Sequence, residues 1–337
     1  MTAEILATHT PAFFEAAARR AAELLRAGGV VALPTETVYG LAADALDEKA
    51  VGKIFQIKGR PANNPIIVHV ASIAMAKRCV NHWPGNADSL ARAFWPGPLT
   101  LVLPRAEQIP DVVTAGGATV GVRWPGHPFI QAVIRRCGFP LAAPSANLSG
   151  RISPTNAAHV RQQLGGKIPL IVDGGQSQVG IESTVLDLSV RPPQVLRPGM
   201  IHTESLAAVC GEIQSPKSKI RSLNPVLRSP GLLAKHYSPK ARLVVLDWRD
   251  EVELERKIQN LKFGPQNCHV IAHTRIPSTE TFACVSVIPH DAAAFARAIY
   301  AELHRCDEAG AELIVVEAPP ELPEWSGITD RLQRAAA

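Results

Sequence analysis

The sequence predicts an α/β protein built in two parts. Apolar runs of strand length alternate with amphipathic stretches of helical period along most of the chain. A length of 337 residues suits two domains better than one. Between Ser215 and Lys240 the texture breaks: six cations (Lys217, Lys219, Arg221, Arg228, Lys235 and Lys240) and four prolines occur with no acidic residue. That composition marks a linker. The expected division is a first domain over residues 1–210, a basic Pro-rich linker over 211–240 and a second α/β domain over 241–337.

Taken in order, Thr10 and Pro11 supply an N-cap and a first helical position. Phe13, Phe14, Ala17, Leu24 and Leu25 give that helix its apolar face, and Gly28-Gly29 ends it. VVALP is a buried strand, Glu48 to Ile57 a short helix and PIIVHV a further strand. Short helices are expected around Met75 and Leu90, strands at LTLVLP and TVGVRWP, and a helix from Pro128 to Cys137. LAAP is a strand, Thr155 to Leu164 a helix capped by Thr155, and IPLIVDGG, STVLDLS and QVLRPG complete a strand-rich half. Beyond the linker, ARLVVLD, CHVIAH, ACVSVI and ELIVVEAP are strands. They alternate with helices at Val252 to Leu261, Asp291 to Cys306 and Asp330 to Ala336. This alternation predicts an open, mostly parallel sheet. No G-x-G-x-x-G follows its first strand, so dinucleotide binding has no support there.

The formal net charge of +5 favours anionic partners such as nucleotides or RNA. The 6 cysteines lack the close pairing of a zinc or redox site and read as scattered thiols of a reducing compartment. No charged start with an apolar h-region and no bilayer-length apolar run is present, so a cytoplasmic protein is expected, with no membrane partner.

Chemistry is concentrated in polar turns that follow apolar runs. Lys58-Gly59-Arg60, in IKGRPANNPIIVHV, is read as a loop at a strand's edge, where a point charge and a planar fork suit polyphosphate. Asn63, Asn64 and His69 follow it. PTETVYG adds the hydroxyls of Thr35, Thr37 and Tyr39, with Gly40 permitting close backbone approach. Thr119 and Arg123 are four apart on TVGVR, hence on one face of a strand. An arginine closing a buried strand pairs with a carboxylate, of the protein or of a ligand. PSANLSGRISPT brings Ser145, Asn147, Ser149, Ser153 and Thr155 to a helix N-terminus, a phosphate-binding environment. IESTV adds Glu182 and Ser183, and VLRPG adds Arg197. Four cations (Lys58, Arg60, Arg123 and Arg197) thus lie among hydroxyls, with no nucleophile–base pair evident in the sequence. Such a site positions a polyphosphate and stabilises charge without a covalent enzyme intermediate.

The segments ALPTETVYGLAADA, KGRPANNPIIVHV, FWPGPLTLVL, TVGVRWPGHP, APSANLSGRISPT, VDGG, GIESTV and VLRPG occur in this order from Val31 to Gly199. Together they resemble the threonylcarbamoyl-AMP synthase family, whose catalytic module is YrdC-like. SPGLLAKHYSP and the α/β tail resemble the long form of that family. The resemblance implies a YrdC-like twisted mixed sheet with flanking helices, then a smaller Rossmann-like α/β domain. It implies that L-threonine, bicarbonate and ATP, with Mg²⁺, give threonylcarbamoyl-AMP, pyrophosphate and water. The product would pass to the tRNA threonylcarbamoyl-transferase complex for modification of the adenosine at position 37 of ANN-decoding tRNAs.

By matching position, the resemblance assigns Lys58 and Arg60 to catalysis. It places Arg60, Asn64, Thr119, Ser145, Asn147, Ser153, Arg197 and the linker's Tyr237 on the ATP side. Thr37, His69, Arg123, Ala143 and Ser183 fall on the threonine side, with Arg123 facing the threonine carboxylate. A competing class is an RNA-binding module of the same fold without this catalysis; weak tRNA binding is then expected, and salt-dependent binding without pyrophosphate release would reveal it. A third, carbamoyl-adenylate chemistry as in hydrogenase maturation, would require zinc-finger cysteine pairs that this chain lacks.

Overall fold

Ten short strands carry the first half of the chain: β1 (Glu4–Ala7), β2 (Val31–Leu33), β3 (Gly40–Asp44), β4 (Val68–His69), β5 (Leu99–Pro104), β6 (Thr119–Arg123), β7 (Leu141–Ala142), β8 (Leu170–Asp173), β9 (Thr184–Asp187) and β10 (Gln194–Arg197). Their order in the sheet is β1-β8-β2-β3-β7-β4-β6-β5-β9-β10. The structure, a computed structural model, describes residues 2–214, 229–231 and 236–337, so the expectations placed on Lys217, Lys219, Arg221, Arg228 and Lys235 lie outside the described residues. The backbone divides into two units, Met1–Ser149 with Ser153–Leu232, and Gly150–Ile152 with Leu233–Ala337.

Connection length decides which strand pairs are parallel. The short turn after Leu33 returns β3 antiparallel to β2, whereas β4 and β6 run parallel and are joined by a long crossover that includes helices. The core beneath the sheet is aliphatic and alanine-rich. The helix Pro11–Arg26 buries Ala17, Ala18, Ala21, Ala22 and Leu25. It meets the helix Pro128–Cys137 through an edge-on contact of Phe14 with Phe129, 5.0 Å between centroids.

Register also brings distant polar side chains level with one another. His69 on β4 is paired with Arg123 on β6, and Thr100 on β5 with Val185 on β9, which in turn pairs with Arg197 on β10. Because Leu101 faces Val122 across the antiparallel β5–β6 ladder, Thr100 is level with Arg123. Residues opposite one another share a face. His69, Arg123, Thr100, Val185 and Arg197 therefore form one transverse row across five neighbouring strands.

Several boundaries depart from expectation. Lys58 does not lie on a strand-edge loop; it is the last residue of the helix Glu48–Lys58 and is 2% exposed. Only Val68 and His69 of PIIVHV join the ladder. Ile66 N–H and Ile67 C=O are instead bonded to Val113 C=O and Ala143 N–H. The cap of the helix Ala157–Leu164 is Asn156, whose side chain accepts from His159 N–H, while the carbonyl of Thr155 is taken by Ser177 N–H. The last helix begins at Ser326, a full turn before Asp330.

The second unit holds four strands, β11 (Arg242–Leu246), β12 (Cys268–Ala272), β13 (Cys284–Val287) and β14 (Leu313–Glu317), all parallel in the order β11-β14-β12-β13. Its core gathers Leu254, Ile258, Val270, Phe282, Leu313 and Val315. At the end of β14 the buried Glu317 carboxylate accepts the backbone N–H groups of His273, Thr274 and Arg275, which shapes the turn after β12. Among the described residues no helix is long and apolar enough to cross a membrane.

Gly59 stops the helix that carries Lys58. Its φ is +60°, and Gly59 N–H and Arg60 N–H close on the carbonyls of Gln56 and Phe55, a Schellman arrangement. No atom lies within 4 Å of where a Cβ would stand, so only the backbone conformation requires glycine. Gly59→Ala is expected to destabilise the protein by about 1 kcal/mol through the left-handed penalty alone. Chemical denaturation measures it, and a loss several-fold larger would mean that a side chain does collide there.

Candidate active site

Arg123 stands in the transverse row between His69 and Thr100 and is 4% exposed. A buried guanidinium needs partners. Its Nε donates to Gly97 C=O at 3.2 Å, Nη1 to Thr37 Oγ1 at 2.9 Å and Nη2 to Glu36 Oε1 at 2.6 Å. Those last two partners come from the PTET turn after β2. The turn is held in shape by Thr35, whose hydroxyl donates to Val38 C=O at 2.6 Å and accepts from the N–H groups of Thr37 and Val38. Burial pushes the Glu36 carboxyl up, but the Arg123 charge and the Gly126 N–H outweigh it and hold it below its ordinary value.

Apart from Val185, the rest of the row is polar and packed. Thr100 and Ser183 share a hydroxyl hydrogen bond of 2.8 Å. Arg197 donates from Nε and Nη2 to Ser183 C=O at 3.1 and 3.0 Å, from Nη2 to Ser183 Oγ at 3.1 Å, and from Nη1 to Pro230 C=O at 3.3 Å. His69 is 4% exposed and its Nδ1 has no partner. Burial first, and the Arg123 charge second, bring its pKa down to about 3.

Beside the row a cleft is lined by Ile67, Thr100, Thr119, Gly121, Val185 and the linker residues Ser229 and Pro230, among others. Thr119 and Arg123 share a strand face and stand about 13 Å apart along it. Gly121 lies between them; a Cβ there would meet Thr100 Cγ2 at 3.2 Å and Ile67 Cγ1 at 3.5 Å, so glycine keeps the floor of the cleft low.

A second cationic cluster joins the helix end at Lys58 to the PSAN loop. Lys58 Nζ donates to Ser145 C=O at 2.5 Å, to Asn147 C=O, and to Asn147 Oδ1 at 3.1 Å. Ser145 Oγ also donates to Asn147 Oδ1, at 2.5 Å. With two donors on Oδ1, the orientation of the Asn147 amide is settled. Burial and the neighbouring Arg60 charge lower the Lys58 pKa well below its ordinary value. Arg60 Nε donates to Asn64 C=O at 3.0 Å, and its Nη2 to Asn64 Oδ1 and Pro65 C=O at 2.7 and 2.6 Å. Asn64 Nδ2 is buried with no partner. Ser153 donates to Glu182 at 2.6 Å. Ala143 N–H is bonded to Ile67 C=O, and a Cβ on Gly40 would lie 3.3 Å from Ala143 Cβ, so the strand beneath the PSAN loop is tightly seated.

Two family models match the chain. One, described as Telomere recombination, covers residues 23–199; the other, described as Threonylcarbamoyl-AMP synthase, C-terminal domain, covers residues 201–337. A threonylcarbamoyl-AMP synthase of Bacillus subtilis is 40% identical over 334 residues, 98% of this chain and 94% of that protein. One of Pyrococcus abyssi is 40% identical over 321 residues, 94% of this chain and 93% of that protein. The chain belongs to the threonylcarbamoyl-AMP synthase family. A crystal structure of the Pyrococcus abyssi protein Sua5 in complex with L-threonine superimposes with a TM-score of 0.90 at 39% identity, covering 100% of this chain and 98% of that one.

Of the residues that the resemblance to this family singles out, the fold joins Thr37, Arg123, Ser183 and Arg197 through the row and its partners, and brings Lys58, Ser145 and Asn147 into one hydrogen-bonded cluster. Arg60 and Asn64 form a pair, and Thr119 lines the cleft. Tyr237 belongs to the second unit. Its φ is +63°, its ring stacks on Tyr300 at 6.0 Å and the Arg331 guanidinium lies 5.4 Å over it. Glu36 and Thr100 went unread in the sequence. The signal for Glu36 was present, since an arginine closing a buried strand calls for a carboxylate and PTET holds one.

His69 carries a testable consequence. In the fold its ring stays neutral down to about pH 3, whereas its ordinary value is 6.5. Between those values the unfolded chain binds the extra proton, so the His69 contribution to stability is intact above the upper value and lost as pH falls toward the lower. The expected slope is on the order of 1 kcal/mol per pH unit in that window. Denaturation of wild type and His69→Leu between pH 7 and pH 4 should show the variant losing less stability on acidification; parallel curves would contradict a neutral buried ring.

Proposed function

We propose that this chain condenses L-threonine, bicarbonate and ATP to threonylcarbamoyl-AMP, pyrophosphate and water, for the threonylcarbamoylation of adenosine in tRNA. The observation that carries the reading is the pair of buried cationic clusters in the first unit, Arg123 with Thr37 and Glu36, and Lys58 and Arg60 with Asn147 and Asn64. Support comes from the family to which the chain belongs and from its likeness to the threonine-bound Pyrococcus abyssi structure.

In this reading Arg123 receives the threonine carboxylate, with Thr37, His69, Ser183 and the Ala143 backbone around the amino acid. Arg60, Asn64, Ser145, Asn147, Ser153, Thr119 and Arg197 hold ATP, with Lys58 at the phosphates. The orphaned Asn64 Nδ2 is a donor of the kind a phosphate oxygen would satisfy. The threonine amine captures CO2 or bicarbonate to give a carbamate. A carbamate oxygen attacks the α-phosphorus of ATP and pyrophosphate leaves; Mg²⁺ held by the ATP phosphates would offset their charge. The protein's part is to hold two anionic reactants in line and to stabilise the charge that develops. The route needs no protein nucleophile. The product would be handed to the tRNA threonylcarbamoyl-transferase complex, and a cytoplasmic location suits that role.

Purified protein should release pyrophosphate from ATP only when threonine and bicarbonate are both supplied; equal release without threonine would sink the assignment. Arg123→Ala should raise the KM for threonine by about 10-fold to 150-fold, the loss of one charge-assisted contact of roughly 1.5–3 kcal/mol. Steady-state kinetics with ATP saturating checks it, and an unchanged threonine KM would remove Arg123 from the amino-acid side.

A further inference from the structure

The ion pair at Arg123 is unfinished on both sides. A guanidinium carries five N–H donors. Three are spent, on Gly97 C=O, Thr37 Oγ1 and Glu36 Oε1, which leaves two. An ionised carboxylate only accepts. Glu36 Oε1 is taken by Arg123, but Glu36 Oε2 is buried with no hydrogen-bond partner. On the strand next to Arg123, His69 Nδ1 is buried and equally unmatched. Buried polar atoms in native proteins are nearly always paired, so an orphaned carboxylate oxygen calls for a donor from outside the chain. Unspent N–H donors of a cation and an unspent oxygen of an anion, held together by one salt bridge, are the complement of a zwitterion. A simple carboxylate would satisfy Arg123 and be repelled by Glu36; an α-amino acid satisfies both.

We propose that Glu36 is a specificity-determining residue whose free Oε2 receives the amino group of the substrate while Arg123 receives its carboxylate, so that the pocket selects α-amino acids over des-amino acids. The inference rests on the reading that this pocket takes L-threonine. Glu36 thereby has two tasks. Oε1 holds the Arg123 fork against the PTET turn, and Oε2 identifies the ligand as an amine. Glutamine at this position keeps the shape and an oxygen for Arg123 but removes the charge.

Calorimetric titration of the full-length chain with L-threonine and with 3-hydroxybutanoate, which keeps the carboxylate and hydroxyl but lacks the amine, separates the two tasks. Wild type should bind threonine at least tenfold more tightly than 3-hydroxybutanoate. Glu36→Gln should weaken threonine by tenfold or more and leave 3-hydroxybutanoate as tight or tighter, since the repulsion is gone, so that the preference collapses. Equal weakening of both ligands would reduce Glu36 to a support for Arg123 and overturn the proposal, as would unchanged threonine binding. If the variant does not fold, the wild-type ratio still decides: comparable affinities for the two ligands overturn the proposal, and a tenfold preference that is lost in a folded Glu36→Ala variant upholds it. Wild type that binds neither ligand removes the threonine reading beneath the proposal. Wild type that binds threonine while Glu36→Gln binds it equally well removes the proposal alone.

Discussion

The first unit depends on the burial of one guanidinium. Arg123 ends a short strand in the middle of a sheet, where a bare charge would cost several kcal/mol. The chain meets that cost with a carbonyl from Gly97, a hydroxyl from Thr37 and a carboxylate from Glu36. Each partner fixes something else. Gly97 belongs to the turn that leads into β5, and Thr37 and Glu36 tie the turn after β2 to a strand far from it in sequence. Thr35 then has to hold that turn rigid, which it does with its single hydroxyl. One buried charge thus sets the positions of two loops around a single face of the sheet.

Lys58 solves the same problem differently. It has carbonyl and amide oxygens as partners, two from the backbone and one from the Asn147 side chain. Three donors meet three acceptors, so the ammonium joins the helix end to the PSAN loop. The Ser149 N–H to Lys58 C=O bond of 2.9 Å doubles the connection through the backbone. The arrangement also explains why glycine follows. The helix must end at Lys58 for the side chain to reach the loop, and a left-handed residue ends it there with its carbonyls satisfied.

In the second unit a buried carboxylate does comparable work. Glu317 gathers three backbone N–H groups and so shapes the turn after β12, on the carboxyl edge of the parallel sheet. Tyr237 is held in a left-handed conformation that tyrosine rarely adopts, with Tyr300 and Arg331 against its ring. Packing on both sides of the ring keeps Tyr237 in that state.

Much of this was legible in the sequence because the signals are local. Alternation and helical period located most strands and helices, since a half-buried element must repeat its apolar face with its own geometry. The helix Pro128–Cys137 came out with its bounds intact because proline at its start and glycine after its end act within one turn. The family resemblance was equally a matter of order along the chain. What the sequence could not decide is register and partnership. Nothing local says that His69, Arg123, Thr100, Val185 and Arg197 stand in one row, because strand pairing here joins residues from 12 to 85 positions apart. Nor does the local pattern say that Lys58 is buried, since a lysine before a glycine reads as a solvated loop until three oxygens from another loop are brought to it. The sequence by itself determined the alternation of strands and helices and which polar side chains stand in the turns between them. Only the tertiary structure decided which of them share a charge, because a buried cation's partners are chosen by the fold around it and not by its neighbours in the chain.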